Sequence, residues 1–142
     1  MTKYSKMGIY LKRIDIAFDG RCNKMLKEVD MTHTQFKILM YMLNNQEKAM
    51  YQKDLETYFD LSNPTITGIL NRLEKKQFLK RVVSQEDARY RTIVLCPKTL
   101  KLEKKLKEIA HDMEQSLIHG LSKEEINQAF VLLEKMLNNV TK

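Results

Sequence analysis

Cysteine and proline each appear only twice in this 142-residue sequence, and glycine only four times. Each scarcity closes off a class of protein. Cys22 and Cys96 form no CxxC pair and have no histidine at ligand spacing, so neither a disulfide framework nor a zinc knuckle is written here. With so few prolines and glycines, and no Gly/Ser or Pro-rich tract or internal repeat, the chain has few breaks and helices should dominate. No stretch approaches the ~20 apolar residues that a membrane span needs, and the opening MTKYSKMGIYLKRIDIAF lacks the apolar run of a signal peptide. A soluble, cytoplasmic protein with no membrane partner is expected. The histidines, His33, His111 and His119, are dispersed, and no nucleophile–base pairing or phosphate loop is visible. No catalytic or metal-binding residue is therefore assigned, and neither an enzyme nor a cofactor is expected.

Acidic residues are also in deficit, 18 against 25 Lys and Arg, which leaves +7 and a pI near 9.4. Such an excess favours an acidic partner such as nucleic acid, unless the charges merely solvate the surface. Position decides between these. Residues 62–91 carry seven basic residues (Arg72, Lys75, Lys76, Lys80, Arg81, Arg89, Arg91) against three acidic ones (Glu74, Glu86, Asp87), so this segment holds more than half of the excess.

The length suits one domain over residues 1–142. Tyr10, Ile14, Ala17, Phe18, Met25 and Val29 recur at three- and four-residue spacings and predict a first helix ending near Asp30. Thr32 and Gln35 form a capping box that opens a second, expected to bury Phe36, Leu39, Met40 and Leu43. A short third helix spans about Gln52 to Phe59, with Leu55 and Phe59 inward. Ser62 caps a fourth, with Pro64 in its first turn, where the missing N–H costs nothing. FLKRVVS and YRTIVL are β-branched runs joined by QEDAR and read as a hairpin. Pro97 opens a long helix through about Leu117, with Leu102, Leu106, Ile109 and Met113 on one face. The Ser122–Glu125 capping box starts a last helix expected to bury Ile126, Phe130, Leu133 and Leu137. The fold class is therefore mainly α, a winged helix-turn-helix in the order H-H-H-H-E-E-H-H.

In SNPTITGILNRLEKKQFLKR, Ile66, Ile69, Leu70 and Leu73 form a buried stripe, and the other face is polar. A helix-turn-helix followed by a hairpin places its second helix in the DNA major groove. Ser62, Asn63, Thr65, Thr67 and Asn71 are short enough to approach base edges and phosphates, while Arg72, Lys75 and Lys76 reach flanking phosphates. Gly68 inside a helix costs ~1 kcal/mol relative to Ala, which calls for close approach of either DNA or a neighbouring helix.

MTHTQFKIL, DLETYFDLSNPTITGILNRLEKKQFLKR and EDARYRTIVL together resemble the MarR family of transcription regulators. The family pattern runs LT-x-x-Q, then S-x-x-T-[VI]-[TS]-x-x-[ILV]-x-x-LE-x-x-G-[LF]-[VIL]-x-R, then D-x-R with Leu-Thr six residues after the arginine. Thr32, Gln35, Ser62, Thr65, Ile66, Thr67, Leu73, Glu74, Arg81, Asp87, Arg89 and Leu95 fit it, so the likeness covers at least residues 31–96. It implies a DNA-binding lobe at 32–96 and dimerisation helices at 5–30 and 97–140. Residues 62–76 would be the recognition helix, and Arg89, with Arg91 beside it, would tip the wing and enter the minor groove. Asp87 would hold that arginine, or act as a plain turn residue. The resemblance further implies a homodimer on a near-palindromic operator in double-stranded DNA, acting as a repressor. A small aromatic or anionic effector would bind between the dimer helices and the DNA lobes.

Met7, Tyr10, Phe18, Met40, Met42, Tyr58 and Phe59 either line such a pocket or belong to the core. Cys22 is the candidate redox residue, with Arg21 and Lys24 nearby to favour a thiolate, unless it is a buried, inert thiol. Phe36-Lys37 stands where the zinc-sensing branch has Glu-His, which argues against metal sensing. Gln77 replaces the usual glycine after the recognition helix, so the left-handed cap is either strained or absent. Cys96 and Thr99 also depart from the pattern. The alternative function is a winged-helix module for protein–protein contact, which would not need a basic recognition face or an arginine-tipped wing.

Overall fold

A computed structural model describes residues 6–141. Residues 1–5 and 142, at the edges of the expected 1–142 domain and 5–30 segment, lie outside the described residues. The chain runs through α1 (Met7–Met25), a 3-10 turn (Leu26–Val29), α2 (His33–Leu43), β1 (Met50–Tyr51), α3 (Gln52–Phe59) and α4 (Asn63–Lys75). Then follow β2 (Leu79–Val83), β3 (Arg91–Leu95), α5 (Pro97–Ile118) and α6 (Lys123–Val140). The expected order holds apart from one added strand. β1 is two residues long and pairs antiparallel with β3, Met50 opposite Ile93 and Tyr51 opposite Thr92, giving a sheet of order β1-β3-β2. A strand that short has no alternation for sequence reasoning to detect.

The caps show why the helices start where they do. Thr32 accepts the Gln35 N–H while the Gln35 side chain accepts the Thr32 N–H, and Ser122 and Glu125 repeat the arrangement for α6. Ser62 accepts from the Thr65 N–H, with Pro64 in the first turn of α4. α1 ends in the 3-10 turn, where Asp30 turns left-handed at φ 57°, and α3 ends at Asp60, φ 52°. Aspartate tolerates that region better than most residues.

The core gathers Cys22 from the end of α1, Leu26 from the 3-10 turn, Phe36, Ile38, Leu39, Met42 and Leu43 from α2, Leu55 from α3, the α4 stripe, Phe78 and Leu79, Ile93, and Leu106, Ile109 and Met113 from α5. Met40, Phe59 and Leu102, expected inside, are only half-buried against it. α6 departs furthest from expectation. It contains no buried residue: Ile126 is half-buried, and Phe130, Leu133 and Leu137 are exposed at 58%, 48% and 59%. Its apolar face points away from the core of its own chain. The outer part of α1 behaves alike, with Ile9, Tyr10, Ile14 and Ile16 exposed.

Candidate nucleic-acid interface

Ile66, Ile69, Leu70 and Leu73 anchor α4, each at most 7% exposed, and this fixes which residues face out. Pro64, Gly68, Asn71 and Lys75, at i, i+4, i+7 and i+11, form the ridge opposite the buried stripe. Thr67 flanks this ridge on one side, Thr65 and Arg72 on the other. A Cβ built on Gly68 would meet only the Arg72 guanidinium, at 4.0 Å. No neighbouring helix needs the glycine, so of the two reasons for it, helix packing is excluded by the structure. The ridge simply has a notch at its centre.

The polar residues around the notch are held from outside α4. Gln52 Nε2, from the first turn of α3, donates to Thr67 Oγ1 (2.8 Å) and to Glu56 (3.2 Å). Asn63 Nδ2 donates to the same Glu56 carboxylate at 2.9 Å, and the Ser62 and Thr65 hydroxyls bond each other at 2.8 Å. From β2, Arg81 donates to Asn71 Oδ1 and to Glu74 Oε1 (2.8 Å), while the Arg81 backbone N–H donates to Glu74 Oε2 (3.2 Å). These hydrogen bonds from Arg81 hold the Glu74 carboxyl below its ordinary pKa of 4.5.

The wing turn is built on Ser84, a buried hydroxyl that accepts the Glu86 and Asp87 N–H groups and bonds the Tyr51 hydroxyl. At its tip Asp87 does both things expected of it. Its carboxylate accepts the Arg89 backbone N–H at 3.0 Å, as a turn residue would, and clasps the Arg89 guanidinium through Nε and Nη2, the latter at 2.7 Å. Those hydrogen bonds from Arg89 lower the Asp87 pKa, and the bond to Asp87 raises that of Arg89. Arg89 nevertheless stays 82% exposed and lies over the Tyr90 ring. Arg89 and Arg91 border a cleft of about 550 Å³ together with Arg81, Gln52 and Asn63. The wing and the first residue of α4 thus open onto one cleft.

Two of the sequence candidates sit elsewhere. Lys76 is turned away from the ridge: its ammonium donates to the Asp30 carbonyl and to Gln35 Oε1, both at 3.0 Å, tying the end of α4 to the start of α2. Cys22 is fully buried, and its thiol is pushed up from 9.0, chiefly by burial and then by Asp19. Of the two readings of Cys22, burial and the raised thiol pKa favour the buried, inert thiol over a thiolate stabilised by Arg21 and Lys24. Sequence reasoning missed the positioning roles of Gln52 and Arg81 and the ring pair Tyr51–Tyr90. Arg81 was marked only as one of the basic residues of 62–91 and as a match to the family pattern, and Gln52 carried no signal.

A second cleft, of about 850 Å³, lies where the end of α1, the start of α2 and the α3–α4 turn meet. Met31, Ile38, Phe59 and Ile69 line it, with Lys27, Lys37 and Arg72 among the charged groups. Of the Met and aromatic residues proposed for such a pocket, only Phe59 lies there. Met42 is core, Met7 and Tyr10 are exposed on α1, and Tyr58 stacks on Tyr41 at 4.1 Å. Phe18 and Met40 pack half-buried against the core.

Comparison with known proteins bears on the same elements. The MarR family model matches residues 31–90. The uncharacterized HTH-type transcriptional regulator YfiV of Bacillus subtilis (strain 168) is 31% identical over 137 residues, covering 94% of this chain and 84% of that protein. The chain belongs to the MarR family. Among solved MarR-family structures, the transcription regulator MarR of Oenococcus oeni PSU-1 is 32% identical with a TM-score of 0.76, covering 93% of this chain and 98% of its own. The S. aureus MepR–DNA complex superposes with a TM-score of 0.86 at 26% identity, over 99% of this chain and 100% of that one. This MarR-family transcriptional regulator is thus mainly helical with a small antiparallel sheet, as expected of a winged helix. No helix among the described residues is long and apolar enough to cross a membrane.

Proposed function

We propose that this MarR-family regulator binds double-stranded DNA as a homodimer in the cytoplasm and represses transcription by occupying its operator. The observation that carries this reading is the exposed polar face of α4 next to the arginine-tipped wing: Arg81 bonds Asn71 of the ridge and lines the wing cleft with Asn63, Arg89 and Arg91. The ridge enters the major groove. Ser62, Asn63, Thr65, Thr67, Gly68 and Asn71 approach bases and sugar-phosphate, and Arg72 and Lys75 grip the flanking phosphates. The positive end of the α4 dipole, at Ser62 and Asn63, also favours an anion. Arg89, aimed by Asp87, enters the minor groove, where a narrow groove enhances the negative potential, and Arg91 supports it from the base of the wing. Lys76 serves this surface indirectly, by bracing α4.

In a two-fold dimer the two α4 helices read half-sites about 34 Å apart, one turn of the duplex, so the operator is near-palindromic. A small anionic aromatic effector fits the larger cleft: Lys27, Lys37 and Arg72 supply charge, and Phe59 and Ile69 apolar walls. Because that cleft joins α1 to α4, its occupancy can alter the spacing of the recognition helices. No cofactor, metal or catalytic residue takes part.

The test is a salt titration of binding to a random duplex. Phosphate contacts predict a linear, steep fall of log affinity with log salt, because neutralised phosphates release their counterions. Absence of measurable binding at low salt would overturn the reading and favour a protein-contact module.

A further inference from the structure

Thr67 and Asn71 are neighbours one turn apart on α4, and both have their acceptor side occupied from within the protein. An arginine guanidinium is donor-only, so the atom of Asn71 that meets Arg81 must be its carbonyl Oδ1. The two hydrogens of Nδ2 have no acceptor among the described residues, and Asn71 is exposed. Arg81 cannot easily swing away, because Glu74 fixes it through both the guanidinium and the backbone N–H. Thr67 is polarised in the same sense. Its oxygen accepts from Gln52 Nε2, and among the described residues its own hydroxyl hydrogen has no acceptor. Gly68, between them, leaves open the space a side chain would fill.

We propose that Thr67 and Asn71 form a donor edge that selects guanine in each half-site, with Gln52 and Arg81 as the positioning residues that set its polarity. Guanine is the base whose major-groove edge presents two acceptors, N7 and O6. Adenine offers one acceptor and one donor, and the bidentate pairing of asparagine with adenine would need Oδ1 turned to the base, whereas Arg81 holds it toward β2. The inference rests on the proposed DNA binding.

The experiment selects bound duplexes from a random pool with the full-length protein, then replaces each enriched guanine in turn by adenine and by 7-deazaguanine, which lacks only the N7 acceptor. One guanine per half-site is expected to lose about ten-fold in affinity on either replacement, the scale of a good base contact. Asn71→Asp, which keeps the pairing with Arg81 but removes both donors, should bring the guanine-to-7-deazaguanine ratio to near one. Gln52→Glu turns the partner of Thr67 into an acceptor that consumes its hydroxyl hydrogen, and should lower the same ratio. Affinity for a scrambled duplex, measured alongside, separates the added negative charge from the loss of discrimination. If the protein binds DNA but no guanine is enriched, or both variants keep the wild-type ratio, the donor edge is wrong while the DNA reading stands. No binding to any duplex would sink the DNA reading itself.

Discussion

Gln77 occupies a conformation that disfavours a side chain. The end of α4 is a left-handed cap in which the Phe78 N–H reaches the Leu73 carbonyl and the Gln77 N–H that of Glu74, both at 3.0 Å, with Gln77 at φ +67°. The helix does not run on, so of the two outcomes open from the sequence the strained cap is the one realised. A non-glycine residue there costs roughly 1–2 kcal/mol, and glycine returns part of that through its freer unfolded chain. Gln77→Gly is expected to raise stability by about 0.5–1 kcal/mol, read as a higher midpoint in urea; a lower midpoint would mean the side chain earns its place. Glu74 adds a pH dependence. Its folded pKa lies below the ordinary 4.5, so its stabilisation is present above that value and lost as pH falls through the folded one. Glu74→Gln should lower the thermal midpoint at pH 7 and narrow the gap to wild type in acid, and a gap independent of pH would contradict the pairing. Cys22, buried with a raised pKa, should resist a thiol reagent in the native state that modifies it after unfolding. The role of Asp87 was legible through the family resemblance, which pairs it with an arginine two positions away. Arg81 with Asn71 and Gln52 with Thr67 were not, because their separations of ten and fifteen residues are closed only by the fold.

At the scale of elements, capping residues made the helices readable. The Thr32, Ser62 and Ser122 starts use chemistry contained within four residues, and the apolar spacing of α4 marked its buried face without any tertiary information. β1 was invisible because its pairing with β3 spans more than forty residues and only two residues take part. The wing is the element whose contribution to binding can be isolated. Arg89 is exposed at its tip and leaves the core untouched when truncated. Arg89→Ala should weaken binding to every duplex and reduce the salt slope by about one, whereas Thr65→Ala should alter base preference with little change of slope. Competition between selected and scrambled duplexes checks this, and equal shifts from both variants would show that the division between wing and helix is misplaced.

At the scale of the whole molecule, α6 is a helix whose apolar side has no counterpart among the described residues. Phe130, Leu133 and Leu137, at i, i+3 and i+7, are exposed together with Val131 and Leu132, and α1 adds Ile9, Ile14 and Ile16. Exposed apolar residues in this number are the feature that the proposed homodimer accounts for, since a two-fold axis would let the same patch on each copy cover the other. The proposed DNA reading needs this arrangement, because one α4 alone reads only a half-site. Leu133→Asp with Leu137→Asp places two charges on that face without disturbing the buried core. Sedimentation should then give the monomer mass, and helicity by circular dichroism should be largely kept. Affinity for a near-palindromic duplex should fall about 100-fold or more as the second site stops being intramolecular, while affinity for an isolated half-site stays unchanged. A double variant that sediments as a dimer would remove α6 from the interface. One that becomes monomeric yet keeps full affinity would instead show that two-fold reading of the operator is not how the protein binds.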